Sequence, residues 1–451
     1  MKISKATKHK LMPTPEQSQE YECIAGQNRL VYNAALEQRN LVYSLYKKSV
    51  HWATQDKELP ELKEAFPFLK EAPSQTYQQS LQDLHKAFDR FFKGIAKYPT
   101  HRRKFVNDSF RFPDPKAFNI KRLTNKKFQI NLPKLGPRKF WSHKKLSKKE
   151  FLEQGKPKSA TVKKEAGIWY ICIIWEINIK EEDAPLQITP KNARSATALD
   201  RGCNNLLALP TPGLYKNLTP QAAHLYEIVD YPDDMFSPYY GCLASLKTSI
   251  LEKYGSKIIE KQRILSLKKK GSRAFKKLKS QISKTHRKLK NYRHDVLHQL
   301  STMIVENQDI IFLEDLDVQA MTKSNKGTLE NPGTDVKKKS WLNKFILQQG
   351  WGYLRIFLKY KSEWKRKLFY DDVPAYHTST TCYSCRHKDE ENRKGDEFLC
   401  LRCHRSDHAD VNAAKNILRA GLSQIASVPE QLRLLGGLGT AVLSSSANSK
   451  L

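Results

Sequence analysis

Asp309-Ile310-Ile311-Phe312-Leu313-Glu314-Asp315-Leu316 is the stretch from which the fold is read. Its apolar run is short, continuous and bounded by acids, the pattern of a strand buried on both faces, as in a parallel sheet. A second apolar run, Ala196-Thr197-Ala198-Leu199, ends in the same manner at Asp200-Arg201-Gly202. Downstream, residues 409–418 are alanine-rich and predict a helix with Asp410 at its start. Any one of these acids alone reads as a turn residue or helix cap. Together, Asp200, Glu314 and Asp410 can converge at one edge of a mixed sheet, although more than two hundred residues separate the first from the last. Clustered carboxylates repel, and hard divalent cations relieve that cost. Two such cations about 3.5 to 4 Å apart activate water and stabilise the leaving oxygen of a phosphodiester. Asp315, Asp317 and Asp407 are rival acids nearby.

Between the two strands lies a connector of about fifty residues and then a basic helical region. Residues 253–293 hold sixteen Lys and Arg against one acid, Glu260. Phe275, Leu278, Ile282 and Leu289 keep an apolar stripe, so two helices broken at Gly271-Ser272 are expected, with the other faces toward phosphate. The excess extends to the whole chain: 451 residues carry 79 Lys and Arg against 46 acids, a formal net charge of +33. A small stapled scaffold is excluded by length, and a polyanionic partner, nucleic acid first, is implied by charge. There is neither an apolar run long enough to span a membrane nor the pattern of a signal peptide at the start, so an intracellular protein is expected.

In the first 190 or so residues, Thr14-Pro15-Glu16-Gln17 has capping-box form and predicts a helix through Leu36 and beyond. Tyr77, Leu81, Leu84, Phe88, Phe91 and Ile95 recur at helical spacing behind Ser74 as cap. Strand alternation follows at residues 109–112 and 128–132, and a hairpin joins residues 160–163 to 168–174, which together predict a small antiparallel β-domain. Arg102, Arg103, Lys104, Lys126, Lys127, Arg138, Lys139, Lys144, Lys145, Lys148 and Lys149, with Phe140 and Trp141 among them, suit backbone tracking and base stacking, or equally a solvated basic surface. Beyond the second strand, a polar loop at 325–339 and a helix from Trp341 to Leu368 are expected. The last 31 residues, with three charges, predict a flexible tail.

Of eight cysteines, four are scattered and four are paired as Cys382-x2-Cys385-x14-Cys400-x2-Cys403. Two such pairs form a closed tetrahedral zinc site, which builds structure and leaves no position for substrate. Arg386 and His404 stand where a zinc knuckle favours glycine, and His387, His404 and His408 are substitute ligands.

Leu199-Asp200-Arg201-Gly202, Phe312-Leu313-Glu314-Asp315-Leu316, Thr378-Ser379-Thr380-Thr381-Cys382, the two cysteine pairs and Asp410-Val411-Asn412-Ala413-Ala414-Lys415-Asn416-Ile417 together carry a family pattern. So do Lys8 to Gln17, Val31-Tyr32-Asn33 with Ala35-Leu36, and the segment from His294 to Thr302. In order and spacing this set resembles TnpB, the insertion-sequence-encoded relative of type V CRISPR effectors, over nearly the whole chain except the tail. The resemblance implies an α/β and α+β multidomain protein: an RNase H-like (RuvC) nuclease domain with an inserted zinc ribbon, and an N-terminal small β-barrel-like wedge domain interrupted by recognition helices. The boundaries it implies are a wedge with recognition helices at 1–189, the nuclease at 190–375 and 405–420, the ribbon at 376–404 and the tail at 421–451. It further implies that Asp200, Glu314 and Asp410 are the catalytic acids ligating Mg2+, one or two ions, that Cys382, Cys385, Cys400 and Cys403 hold structural Zn2+, and that a guide RNA from the element's end directs cleavage of target double-stranded DNA beside a short flanking motif. A monomer in a prokaryotic cytoplasm, associated with the nucleoid, is expected. The competing readings are a guided DNA-binding repressor that does not cut, an RNase H-like strand transferase, and a CRISPR-associated effector of the same superfamily.

Overall fold

The structure, a computed structural model, describes residues 1–106, 108–142, 151, 155–202, 206–210, 226–230, 242–246 and 248–425. The chain divides into two units, Met1–Ala184 and Pro185–Leu451.

In the first unit, strand β1 (Lys2–Leu11) leads into helix α1 (Pro15–Tyr46) through the expected capping box. Thr14 Oγ1 accepts from the Gln17 N–H at 3.3 Å, and Gln17 Oε1 accepts from the Thr14 N–H at 3.1 Å. Two short helices, α2 (Trp52–Lys57) and α3 (Leu59–Ala65), precede α4 (Ser74–Phe92). Ser74 is inside α4 rather than its cap, because Pro73 fixes the entry and Ser74 Oγ instead accepts from Lys63 Nζ at 2.5 Å. Ile95 falls past the helix end and is exposed. A buried polar knot ties α4 to α1: Asn28 Nδ2 donates to Thr76 Oγ1, and Ser80 Oγ donates to Asn28 Oδ1.

Six more strands follow: β2 (Ser109–Phe112), β3 (Asn119–Arg122), β4 (Lys127–Leu132), β5 (Gly136–Trp141), β6 (Gly155–Glu165) and β7 (Ile168–Asn178). With β1 they form one antiparallel sheet of order β2-β6-β7-β1-β5-β4-β3. The expected hairpin is β6–β7, closed by Ala166-Gly167. Two residues expected on its basic surface are instead internal: Arg138 is buried in an ion pair with Glu20, and Phe140 is fully buried beside Phe128. Alternation explains both, since they share the inward face of β5, which buries every second residue. Lys144, Lys145, Lys148 and Lys149 lie outside the described residues.

In the second unit, β8 (Ala196–Leu199) begins a region whose connector contains strands: β9 (Leu207–Leu209), β10 (Tyr226–Asp230) and β11 (Cys242–Leu246), in the antiparallel order β10-β11-β9. Helices α5 (Thr248–Ser266) and α6 (Arg273–Asn307) break where expected, with Ser272 Oγ accepting from the Phe275 N–H at 3.1 Å. Strand β12 (Ile310–Glu314) is completely buried. After the short α7 (Val318–Met321), the expected single helix is two, α8 (Val336–Gln349) and α9 (Trp351–Trp364). The preceding loop therefore stops at Asp335. Gly350, at φ 76°, makes the break, and a Cβ there would meet Arg293 Cδ at 3.0 Å and Leu297 Cδ1 at 3.1 Å. Leu368 belongs not to that helix but to β13 (Leu368–Val373), which pairs parallel with β12.

Strand β12 lies between β13 and β8, parallel to both. Ile311 and Leu313 pack with Val296, Leu300 and Ile304 of α6 and Leu354 and Leu358 of α9. Ile310 and Phe312 pack with Ala196, Ala198 and the final helix, α10 (Ala409–Gln424). That two-sided cover is why the run shows no polar alternation. The expected tail boundary at 421 is overturned: α10 continues to Gln424, with Leu422 buried and Gly421 lying against the Phe312 ring. The remainder of the expected tail, 426–451, lies outside the described residues.

Between β13 and α10 a small antiparallel sheet forms from β14 (Arg393–Lys394), β15 (Glu397–Leu399) and β16 (Ser406–His408). No helix among the described residues is long and apolar enough to cross a membrane.

Candidate metal centres and nucleic-acid surface

Parity along the strands places the acids. In β12, Ile310 and Phe312 face α10, so Glu314 shares that face; in β8, Ala196 and Ala198 do, so Asp200 follows them. The parallel register aligns Ile310 with Ala196 and Leu313 with Leu199, which brings Glu314 and Asp200 abreast at the carboxyl ends of neighbouring strands. Asp410 enters from the first turn of α10, where His408 Nδ1 accepts from its N–H at 3.1 Å. Glu314 is 5% exposed and Asp410 7%, an unusual depth for carboxylates.

Burial pushes the Asp200 carboxyl well above the usual range, and the charges of Glu314 and Asp410 add to the shift against the opposing Arg393. Burial also raises Glu314, against the attraction of Arg201. The Asp200 side chain hydrogen-bonds Glu314, so a proton between them relieves the repulsion. The three carboxylates do not gather as tightly as the cysteines described below. Arg393 of β14 donates to Asp410 Oδ1 at 3.0 Å, and Arg201 donates through its backbone N–H to Glu314 Oε1 at 3.3 Å and through Nη2 to the Glu314 carbonyl at 2.5 Å. Oxygen donors this buried, with too few cations to balance them, suit a hard divalent ion. The rival acids are placed otherwise. Asp317 caps α7, Asp407 pairs with Lys415 Nζ at 2.6 Å, and Asp315 is exposed.

All four cysteine sulfurs of the ribbon lie within 4.8 Å of one another. Cys382 and Cys403 are 3.7 Å apart, and Cys385 and Cys400 3.4 Å. A tetrahedron with Zn–S bonds of about 2.3 Å has edges of about 3.8 Å, so the set is sized for zinc. The two knuckles repeat one geometry. The Arg386 N–H donates to the Cys382 carbonyl at 3.0 Å, and the His404 N–H to the Cys400 carbonyl at 2.9 Å. Arg386 and His404 adopt φ of 64° and 54°, the left-handed turn that glycine would supply. Backbone N–H groups of Ser384 and Cys385 bond Cys382, that of His387 bonds Cys385, and that of Arg405 bonds Cys403. Burial pushes the Cys382 thiol up to about 12, so its deprotonation calls for a cation. His387, His404 and His408 stand outside the sulfur cluster.

Sequence reading left the polar residues of α10 without a role. Asn412 takes the Tyr383 N–H on Oδ1 at 3.1 Å and donates to the Thr381 carbonyl at 2.9 Å, while Asn416 Nδ2 donates to the carbonyls of Thr378 and Thr381. Arg419 Nη1 donates to the Tyr383 carbonyl at 2.6 Å. Together they seat the ribbon on the helix that carries Asp410. The available signal was their i, i+4, i+7 spacing, a polar stripe on an otherwise apolar helix. Arg201 and Arg393 gave no such signal, since their pairings cross long stretches of chain. In the connector before α6, Lys268, Lys269 and Lys270 are exposed, and on α6 so are Lys276, Lys277, Lys279, Lys284, Lys288 and Lys290, a surface suited to phosphate.

Three family models match: "Helix-turn-helix domain" at residues 1–48, "Probable transposase" at 249–325 and "Cas12f1-like, TNB domain" at 351–417. Over 1–48 this chain has a strand and one long helix, β1 and α1. The chain is 33% identical over 433 residues, 94% of each chain, to InsQ of Escherichia coli (strain K12), named as an RNA-guided DNA endonuclease. It is 28% identical over 430 residues, 93% of this chain and 90% of the other, to a protein of the same description from Streptomyces pristinaespiralis. Among solved structures it is similar to the mini-RNA-guided endonuclease CRISPR-Cas_phi3, at 11% identity and a TM-score of 0.49, covering 93% of this chain and 92% of that one.

Proposed function

This chain belongs to the TnpB family of insertion-sequence-encoded RNA-guided DNA endonucleases, and from that premise we propose that it cleaves DNA at a RuvC-type, RNase H-like centre formed by Asp200, Glu314 and Asp410. Its partners are a guide RNA derived from the element's end and target double-stranded DNA bearing a short flanking motif; guide pairing selects the target, and protein contacts follow backbone shape. The observation that carries the site assignment is the register of β8 and β12, which sets Asp200 beside Glu314 on the face covered by the helix of Asp410.

Asp200, Glu314 and Asp410 would hold Mg2+, one or two ions. When bound, such ions neutralise the carboxylates, activate water and stabilise the leaving oxygen. The chain's own contribution is positioning. Arg201 fixes the Glu314 backbone and carboxylate, and Arg393 holds Asp410 through Oδ1. Cys382, Cys385, Cys400 and Cys403 would hold Zn2+ as a closed structural site that keeps Arg393 and the ribbon in place. In this reading residues 1–189 form a barrel-like wedge with recognition helices, residues 190–375 and 405–424 form the nuclease, with α10 included to its end, and 376–404 form the ribbon. The enzyme acts as a monomer in the bacterial cytoplasm, on nucleoid DNA.

The test is to express the chain with its native flanking DNA, purify it in high salt and sequence the bound RNA. One discrete structured RNA ending in a variable segment is expected, and the complex should cut DNA matching that segment only when Mg2+ is supplied. A heterogeneous smear of RNA, or cleavage indifferent to guide sequence, would refute the reading.

A further inference from the structure

Between the C-terminal halves of α1 and α4, the first unit has a cavity of about 430 Å³, within the size range of small-molecule sites. Its wall is aromatic: Tyr43, Phe88, Phe91, Phe92 and Tyr98 line it. Tyr98 packs edge-on against Phe88 and Phe91, at 5.5 and 5.2 Å, and its hydroxyl donates to Asn40 Oδ1 at 2.6 Å, so that ring is fixed. Phe92 and Tyr43 are exposed, apolar surface that no element among the described residues covers. Arg39 lines the same cavity and is only 8% exposed. Its Nε donates to Gln55 Oε1 at 2.9 Å, and its guanidinium lies 5.2 Å from the centre of the Phe88 ring. Nη2, however, is buried and has no hydrogen-bond partner among the described residues. Burial pushes the guanidinium below its usual range, against the attraction of Asp89. A charged donor left unmet in the interior is costly and calls for an acceptor. Asp89, also in the wall, does not supply it. It attracts Arg39 without forming an ion pair, and its Oδ2 stands 3.7 Å from His85 Nε2, too far for a hydrogen bond. One cavity thus holds an unmet cation, an anion too distant to meet it, and an aromatic wall. A ligand with a carboxylate and an ammonium on neighbouring atoms, and a ring beyond them, answers all three. A plain anion would be opposed by Asp89, and a plain cation by Arg39.

We propose that this cavity binds a free α-amino acid with an aromatic side chain, its carboxylate on Arg39, its ammonium on Asp89 and its ring among Phe88, Phe91 and Tyr98. The site lies wholly in the first unit and uses none of the residues assigned to cutting or to zinc, so it stands whether or not the chain cleaves DNA.

Full-length wild type, D89N and R39Q are titrated by equilibrium dialysis with L-tryptophan, tryptamine, indole-3-propionate and AMP, each up to about 1 mM. Tryptamine lacks the carboxylate and indole-3-propionate the ammonium, and the thermal midpoint is measured on every preparation. Wild type should bind one L-tryptophan per chain and hold each truncated compound at least about tenfold more weakly, the loss of one charge-assisted pairing. D89N, altered at an exposed side chain, should keep its midpoint and bind L-tryptophan no better than indole-3-propionate. R39Q should bind L-tryptophan no better than tryptamine. Because R39Q also disturbs the contacts with Gln55 and Phe88, D89N decides alone if the R39Q midpoint collapses. Wild type that binds none of the compounds would overturn the site. Tryptamine or indole-3-propionate bound as tightly as L-tryptophan, or D89N that still prefers L-tryptophan to indole-3-propionate, would overturn the amino-acid assignment. So would AMP bound in preference to L-tryptophan, since the cavity would then take a nucleotide.

Discussion

Gly421→Ala probes the packing that holds the third acid in place. An added Cβ would stand 2.3 Å from Phe312 Cδ1, 2.5 Å from Cγ and 2.7 Å from Cε1. Phe312 is fully buried and its ring stacks on Tyr370 at 5.5 Å, so it has no room to swing aside. Replacing glycine within a helix gains at most about 1 kcal/mol. Overpacking a tight core costs about 1 to 3 kcal/mol, and an overlap this deep belongs at the upper end. The net effect is a loss of about 2 kcal/mol, a fall in melting midpoint of about 4 to 8 °C for a unit of this size. Because α10 carries Asp410 and β12 carries Glu314, pushing the two apart should also reduce DNA cleavage at temperatures well below the midpoint. Thermal denaturation of the full chain, with cleavage rates on guide-matched DNA, measures both. A raised midpoint in G421A would refute the close helix–strand contact and restore the notion of a loose tail beginning at that residue.

Two further outcomes are expected. His404→Gly, at an exposed residue with φ 54°, should raise stability by about 1 kcal/mol with zinc content unchanged, read from the denaturation midpoint; a fall would mean that His404 does more than turn the chain. In the first unit, burial acts to raise the Glu165 pKa, but hydrogen bonds from Lys8 and Lys163 outweigh it and hold it at about 2. A depressed carboxylate stabilises the fold above its unfolded pKa near 4.5, and that contribution drains away as pH falls from about 4.5 to about 2. Wild type should therefore exceed E165Q in stability at neutral pH and converge on it below pH of about 2; parallel curves across that window would contradict the pairing.

The parts of the fold legible in sequence were those fixed by local chemistry. Strand β12 announced itself because both faces are buried, α1 because Thr14 and Gln17 cap it reciprocally, and the α5–α6 break because Ser272 caps the second helix. Strand β13 was illegible. Leu368-Phe369-Tyr370-Asp371-Asp372-Val373 mixes acids with aromatics at half-buried positions, and its strand character comes from pairing with β12. The α8–α9 break is made by the left-handed φ of Gly350, and the closeness of Arg293 and Leu297 on α6, which leaves no room for a side chain there, is visible only in the folded chain. Arg138 failed similarly: a basic residue on a strand reads as surface until its acid partner, Glu20 on α1, is known. At the acidic centre, strand ends and a helix start pointed to Asp200, Glu314 and Asp410, yet nothing local pointed to Arg201 and Arg393, which hold the last two. In the ribbon, Arg386 and His404 follow Cys385 and Cys403 where a knuckle favours glycine. Arg386 and His404 adopt the glycine conformation nonetheless, because the N–H bonds to Cys382 and Cys400 and the sulfur cluster over-determine the turn.

The central claim is that three acids from distant stretches form one cutting centre in an RNA-guided enzyme. Its most direct test is cleavage of guide-matched DNA in Mg2+ by wild type and by the single variants D200N, E314Q and D410N, each purified with its RNA. All three should retain the RNA and the target and lose at least about a hundredfold in cleavage rate, as removal of charge from a phosphoryl-transfer centre requires. Cleavage at the wild-type rate by any one of them, with RNA and target still bound, would contradict the account.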